Sequence, residues 1–413
     1  MGFVRVSHAV SGEVNCRTCR PLVTIDVVNG CRALYVHVPF CRAKCAYCDF
    51  NSYAGQERLI PRYVDALLLE ATHWSQSGRV SRLDTVYFGG GTPSLLPADQ
   101  MTRLVKGLRR RFDVTAGAEM SMEANPESVD LAHLRTLREL GVKRLSIGVQ
   151  SFDDTELRFL GRIHDAARAE AAFLAAREAG FQNVSLDLIF GLPGQSLAQW
   201  QPTLEEAIAL APDHLSLYAL TIEDGTPLAA RIQRGECPEP DPDLQADIYV
   251  WSSERLAGAG YEQYEISNWS RPGRSCRHNL TYWRCEPYLG LGAGAHSYVD
   301  GYRFANIRNP RKYIDAVFAQ EPSSEAAPAW TGSFEPPDFE RDLSDALILG
   351  LRLNSGISLD AASQRFAVDV RKRYSDEIVK LEKLGLLELT DERMRLTDRG
   401  RLLGNEVFER FLP

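Results

Sequence analysis

The sequence predicts an α/β protein: an incomplete (β/α)6 parallel barrel followed by a small winged-helix-like α+β domain. Three observations carry this. From Leu34 onward, short β-branched or aromatic runs alternate with longer amphipathic segments, the pattern of parallel strands covered by helices. The alternation supplies six units, short of the eight that close a full barrel. A stretch rich in Pro, Ala, Ser and Glu, residues 321–340, then separates this region from a helix-rich tail with a hairpin near its end.

Composition bounds the function. At 413 residues, 44% hydrophobic and 25% charged, the chain is long enough for one large α/β domain and a small second one. No apolar run approaches the roughly 18 residues that span a bilayer, and the N-terminus lacks a basic-then-apolar signal, so a cytoplasmic protein is expected. A formal charge of −8 argues against electrostatically driven binding of nucleic acid. Nine cysteines without a secretory signal fit a reducing compartment, where clustered thiols more often bind metal than pair as disulfides.

Residues 1–30 show no periodicity and are expected to form a loosely ordered N-terminal extension. Cys16-x-x-Cys19, with Cys31 nearby, has the form of half a metal site but lacks a matching second pair. Strands are expected at 34–38, 84–88, 118–122, 144–149, 184–190 and 214–220. Helices are expected at 60–76, 97–111, 128–140, 165–179, 196–210 and 243–258, the first burying Tyr63, Leu67, Ala71 and Trp74. The barrel occupies 31–320, the linker 321–340 and the C-terminal domain 341–413.

The unusual residues cluster after the strands, where parallel barrels carry their chemistry. Strand one runs into Cys41-x3-Cys45-x2-Cys48, three thiols within eight residues. Such a loop can wrap three corners of an iron–sulfur cube, which normally takes four cysteines, so one iron is left without a protein thiolate. A zinc site or a trio of structural cysteines is the competing reading, although zinc prefers paired C-x2-C half-sites. Strand two ends in Gly89-Gly90-Gly91-Thr92-Pro93, whose missing Cβ atoms admit a close ligand or merely a tight turn. It is no Walker loop, since Lys-Ser/Thr does not follow. Strand three ends at Glu123, Asn125 and Pro126; strand four at Gln150-Ser151-Phe152, with Arg162 later; strand five holds Asp187 before Gly191-Leu192-Pro193-Gly194. A carboxylate within a strand needs a partner.

These motifs together resemble the radical S-adenosylmethionine (SAM) enzymes. In that family SAM chelates the open iron of a [4Fe–4S] cluster, and an electron from the cluster cleaves it to a 5′-deoxyadenosyl radical. The resemblance implies Cys41, Cys45 and Cys48 as cluster ligands. It implies Tyr35, the Tyr47 backbone, Gly90, Gly91, Thr92, Glu123, Gln150, Arg162 and Asp187 as cofactor contacts. Arg162, following a helix, rests on the motif alone, since such an arginine is usually solvated.

Tyr35-Val-His-Val-Pro-Phe-Cys, Gly-Gly-Gly-Thr-Pro-Ser, Gln-Ser-Phe-Asp and Asp-Leu-Ile-Phe-Gly-Leu-Pro-Gly resemble, more narrowly, the oxygen-independent coproporphyrinogen III oxidases and their relatives over about residues 31 to 413. The oxidases carry a further cysteine two residues after the third; here Asp49 and Phe50 follow Cys48. Residues His278-Asn279-x-x-Tyr282-Trp283 match the H-N-x-x-Y-W motif of the HemW-type haem chaperones. Both features point to that branch. A neutral imidazole is a good axial haem ligand and Tyr and Trp offer flat faces to a macrocycle, yet a hydrogen-bonded core histidine with packing aromatics accounts for the same residues. His296 is a second candidate ligand, and His37 a structural or cofactor-shell residue. Covalent haem attachment through Cys276 or Cys285 has no C-x-x-C-H pattern behind it.

The resemblance thus implies a protein that binds a cluster, SAM and haem and passes haem to acceptors, with membrane respiratory enzymes as candidate acceptors and peripheral membrane contact through such a partner. It also implies an electron donor for the cluster and allows a homodimer. No catalytic residue is assigned; coproporphyrinogen III decarboxylation is the alternative activity. In the tail, Leu343 to Leu353, 359–366 and 371–384 read as helices, with a hairpin over 385–397. Its one basic run, Arg371-Lys372-Arg373, reads as a solvated face, so a lid or docking domain is expected there in preference to a DNA or RNA binder.

Overall fold

The structure, a computed structural model, describes residues 30–80, 82–320 and 327–413. The Cys16/Cys19 pair and all but the last residue of the N-terminal extension lie outside the described residues. The six expected units are present: β1 (Ala33–Val38), α1 (Ile60–Gln76), β2 (Arg82–Gly90), α2 (Ala98–Arg109), β3 (Asp113–Ala124), α3 (Leu131–Glu139), β4 (Arg144–Gln150), α4 (Asp154–Leu160), α5 (Ala166–Glu178), β5 (Val184–Phe190), α6 (Leu197–Ala209), β6 (His214–Ala219), α7 (Pro227–Gln233) and α8 (Pro242–Gly258). Helix starts are fixed locally: the side chains of Asp130, Asp153, Asp165 and Ser196 accept backbone N–H bonds at the first turns of α3, α4, α5 and α6. Strands such as β1 are apolar almost throughout because helices and barrel interior bury both faces. Tyr63, Leu67, Ala71 and Trp74 of α1 are all core residues.

The sheet is larger than six strands. After β7 (Glu262–Glu265), β8 (Asn268–Ser270) and α9 (Arg277–Trp283) come β9 (Tyr288–Leu291), β10 (His296–Val299), β11 (Tyr302–Asn306), α10 (Pro310–Ala319) and β12 (Thr331–Glu335). The order is β12-β11-β10-β9-β1-β2-β3-β4-β5-β6-β8-β7. Strand β9 pairs parallel with β1 on the side away from β2, giving seven parallel strands flanked by antiparallel ones. It escaped the sequence reading because it is four residues long and contains glycine, which pattern reading takes for a turn. The expected linker also contains regular structure: Trp330 is buried and β12, residues 331–335, pairs with β11 in the sheet.

The C-terminal domain has its own core and winged-helix order: α11 (Phe339–Leu351), β13 (Ile357–Ser358), α12 (Leu359–Phe366), α13 (Val370–Arg373), α14 (Ser375–Lys383), then β14 (Leu387–Leu389) and β15 (Arg393–Leu396), in a sheet β13-β15-β14. Arg371 donates to the Thr390 and Asp391 carbonyls and Arg373 pairs with Glu340, so two of the basic triplet hold the domain together. The domain covers the β7 edge, where Leu353 bridges to Glu265 and Asn354 N–H donates to the Tyr264 carbonyl. Arg352 links the two parts, 3.3 Å from buried Glu265 and stacked 4.5 Å over the Trp283 ring of α9.

Candidate functional site

The C-terminal ends of the parallel strands form one rim, and the cysteine loop lies on it. After β1, Cys41 is buried while Cys45 and Cys48 are half-buried; all are free thiols. The loop is clamped at its middle, where Ala46 N–H donates to the Leu160 carbonyl at 3.0 Å and the Ala46 carbonyl accepts from Leu228 N–H at 2.9 Å. Each sulfur has a side-chain neighbour able to donate. Thr92 Oγ1 donates to Cys41 Sγ at 3.5 Å, Arg162 Nη1 donates to Cys45 Sγ at 3.3 Å, and Ser52 Oγ lies 4.0 Å from Cys48 Sγ. Burial raises the Cys41 and Cys48 thiols above their ordinary range, while the Thr92 and Ser52 hydroxyls act the other way. Among the described residues no three His, Cys, Asp or Glu side chains converge to hold a single ion. A four-iron cube asks for a different set, one thiolate per iron, and three thiols with donors aimed at their sulfurs fit it.

Around this loop the strand ends bring together the other expected cofactor residues. Glu123 is half-buried and accepts from Tyr87 Oη at 2.9 Å and from Gly90 N–H at 3.0 Å; burial raises its pKa despite these bonds. The glycine triplet owes its composition to packing. A Cβ at Gly90, whose φ is +116°, would meet the His37 ring, and one at Gly91 would meet the Phe40 backbone. His37 is a structural residue of this layer, bonded to Tyr35 Oη and the Asn51 carbonyl at 2.9 Å each and drawn down to about 4 by burial. Tyr35 also stacks on Tyr87.

Gln150 closes β4 in the left-handed region, φ 70°, where the β4–β5 register slips. No described residue hydrogen-bonds its amide. Asp187 accepts from Ser146 Oγ at 3.0 Å, and burial raises its pKa against the Ser216 hydroxyl and the Arg144 charge. Arg162 is the least expected member, and the structure ties it to three other segments. Its Nη2 donates to Asn125 Oδ1 at 2.7 Å and the Gly148 carbonyl at 2.9 Å. Burial opposes its charge, but Tyr47, Cys45 and Glu127 outweigh that and hold its pKa above the usual range.

The His278 motif lies elsewhere, on α9, against the opposite end of the barrel. Glu119 of β3 accepts from Arg277 N–H at 3.2 Å and His278 N–H at 3.1 Å, seating the helix start. His278 has no solvent exposure, and both ring nitrogens are engaged: Nδ1 with Thr85 Oγ1 at 2.8 Å, Nε2 with Tyr282 Oη at 2.9 Å. Its ring stacks on Tyr87, centroids 5.1 Å apart, and burial draws its pKa down to about 3. Asn279 is buried and Trp283 lies under Arg352. In this arrangement His278 is a saturated core histidine beneath the rim, joined to it through the Tyr87 hydroxyl on Glu123. Cys276 is buried with its thiol pushed up to about 12, Cys285 is buried too, and His296 is exposed at the start of β10.

Sequence reasoning left Asn125 without a role, although the structure puts its amide between Thr92 and Arg162. The available signal was its position two residues after Glu123, on the same face of an extended segment.

Comparison with known proteins finds relatives over most of the chain. Residues 35–207 match the Radical SAM superfamily and residues 340–403 the HemN C-terminal domain. The chain is 35% identical over 382 residues to the heme chaperone HemW of Bacillus subtilis, covering 92% of this chain and 99% of that protein. It is 36% identical over 389 residues to the heme chaperone HemW of Escherichia coli, covering 92% and 98%. Among solved structures it superposes on coproporphyrinogen III oxidase (HemN) of Escherichia coli with a TM-score of 0.78 at 27% identity, covering 94% of this chain and 91% of that one.

Proposed function

The chain belongs to the radical SAM family that includes the heme chaperone HemW, and from that membership we propose that it is a haem chaperone: it binds a [4Fe–4S] cluster, SAM and haem and delivers haem to acceptor proteins. The observation that carries this is end-to-end similarity to HemW proteins combined with Phe50 standing where the oxidases carry a further cysteine. Cys41, Cys45 and Cys48 would hold the cluster. Tyr35, the Tyr47 backbone, Gly90, Gly91, Thr92, Glu123, Gln150, Arg162 and Asp187 would surround SAM. When bound, the pair supplies one-electron chemistry that belongs to the cofactor.

What this chain's own residues contribute is orientation and charge. Arg162 brings a fixed cation to the Cys45 side of the loop, Glu123 and Asp187 bring carboxyl groups to the floor, and the half-buried Gln150 amide is left to a ligand. Haem contact by His278, Asn279, Tyr282 and Trp283 forms part of the proposal with one condition: α9 has to move. Iron ligation by His278 requires breaking its bond to Thr85 or to Tyr282, and releasing Trp283 requires Arg352 to shift. Candidate partners are haem-requiring proteins, including membrane respiratory enzymes that would bring the chain to a membrane surface, and an electron donor for the cluster. Among the described residues no helix is long and apolar enough to cross a membrane.

The second reading, coproporphyrinogen III oxidase activity, is favoured by the fit to that enzyme's fold over 94% of this chain. One assay separates them. Anaerobically reconstituted, reduced protein with SAM is given coproporphyrinogen III, and in parallel wild type, His278→Ala and His296→Ala are titrated with haem. A chaperone binds about one haem per chain and forms no protoporphyrinogen IX; robust decarboxylation would overturn the proposal.

A further inference from the structure

We propose that Asn125 is a positioning residue that couples two of the three cluster thiolates through a directed chain of hydrogen bonds and thereby raises the reduction potential of the cluster they hold. The proposal rests on the cluster reading above. The chain runs Arg162 Nη1 to Cys45 Sγ at 3.3 Å, Arg162 Nη2 to Asn125 Oδ1 at 2.7 Å, Asn125 Nδ2 to Thr92 Oγ1 at 3.0 Å, and Thr92 Oγ1 to Cys41 Sγ at 3.5 Å.

Its direction follows from the donor inventory. A guanidinium only donates, so the Asn125 atom facing Arg162 must be the carbonyl oxygen, and the NH2 then faces Thr92. Because Thr92 Oγ1 accepts from that NH2, its own proton is left to point at Cys41 Sγ. Both ends of the chain therefore terminate as donors on sulfur. One asparagine sets both.

The surroundings hold this arrangement in place. Thr92 is 3% exposed, so little water competes for its hydroxyl, and hydrogen bonds in such surroundings polarise one another. Ser128 ties the Asn125 backbone on both sides, its Oγ accepting from Asn125 N–H at 3.2 Å and donating to the Asn125 carbonyl at 2.7 Å. Arg162 has a second anchor on the Gly148 carbonyl. Gly148 leaves the room: a Cβ there would come within 3.1 Å of Asn125 Oδ1 and 2.8 Å of Gln150 Nε2. Cys48 takes its donors elsewhere, from the Phe50 backbone and from Ser52, whose Oγ lies 4.0 Å from its Sγ and also acts on Cys41.

Reducing a cluster adds one negative charge, spread partly onto the ligand sulfurs, and hydrogen bonds to those sulfurs stabilise the reduced form. Breaking the chain at Asn125 should therefore make reduction harder. Asn125→Asp should do so most, since it removes the donor to Thr92 and adds a negative charge. Asn125→Ala should follow.

The test is a potentiometric titration of the anaerobically reconstituted full chain, followed by the electron paramagnetic resonance (EPR) signal of the reduced cluster, without SAM. At the wild-type midpoint Asn125→Ala is expected to show about a tenfold lower ratio of reduced to oxidised cluster, about 59 mV for a one-electron couple. Thr92→Ser should match wild type and Thr92→Val should shift the same way as Asn125→Ala. The double variant should shift less than the sum, because both act on one chain. An Asn125→Ala protein with full iron loading and an unchanged midpoint overturns the inference. Should that variant fail to load, equal midpoints for Thr92→Ser and Thr92→Val overturn it instead. Failure of the wild type to take up a four-iron cluster would count against the proposed function, whereas a loaded wild type with unshifted variants counts against this inference alone.

Discussion

The two ends of the barrel each gather polar side chains and treat them in different ways. At the rim, three thiols, two carboxyl groups, an arginine and a glutamine face one another with bonding capacity to spare. The Gln150 side-chain amide has no hydrogen-bond partner among the described residues, and the sulfurs attract donors that suit a charged ligand set. At the other end, the fully buried His278 spends both ring nitrogens on Thr85 and Tyr282 and its N–H on Glu119, while its neighbours Asn279 Oδ1 and Trp283 Nε1 are buried with no hydrogen-bond partner among the described residues. Unspent polar capacity at a strand-end rim marks a binding site, whereas a ring whose two nitrogens are both spent, as in His278, is occupied with packing until its helix moves. The contrast teaches that a motif rich in His, Tyr and Trp is not by its composition an open site.

Substitutions at the two ends should therefore fail differently, and the largest effect belongs to the rim. Replacing Cys41, Cys45 or Cys48 by alanine should take iron from about four per reconstituted chain to near zero, with the far-ultraviolet circular dichroism unchanged; retention of the cluster would erase the contrast. Next comes His278→Ala. Removing a buried ring and stranding the Thr85 and Tyr282 hydroxyls should cost about 3 kcal/mol in denaturant unfolding, while iron loading stays at the wild-type level.

A smaller effect is set by protons. His278 titrates near 3 when folded and near 6.5 when unfolded, so between those values the unfolded chain binds the extra proton. Stability should then rise with pH through that window by about 1.4 kcal/mol per pH unit from this group, be fully present above 6.5, and be lost as pH falls toward 3. His278→Ala should flatten that slope. The smallest change in stability is expected at Gln150: Gln150→Ala should alter unfolding by less than about 0.5 kcal/mol yet weaken SAM binding about tenfold, roughly 1.4 kcal/mol, measured by calorimetry on reconstituted protein. A large stability loss there would show the rim to be structural as well.

Much of this was legible before any coordinates. The β/α alternation located all six central strands because each strand is buried on both faces and each helix on one, and these periods survive in the residues. The rim was legible for the same reason, since chemistry-bearing residues stand directly after strands. Arg162 was harder to place, because an arginine after a helix looks solvated until Asn125, Gly148 and Cys45 are brought to it from three other segments. Asn125 was seen at a strand end but its function depends on partners 33 and 37 residues away. Strand β9 was hidden by its shortness and by Gly290. His278 was ambiguous in principle: its residue type allows ligand or core, and only the Thr85 and Tyr282 contacts decide which role it plays in this arrangement.

The proposed function requires an open iron at the rim. The most direct measurement is the EPR spectrum of the anaerobically reconstituted and reduced protein, recorded with and without SAM. A four-iron cluster signal whose line shape changes when SAM is added is the predicted result. A spectrum indifferent to SAM, or a chain that takes up a single zinc in place of a cluster, would contradict it.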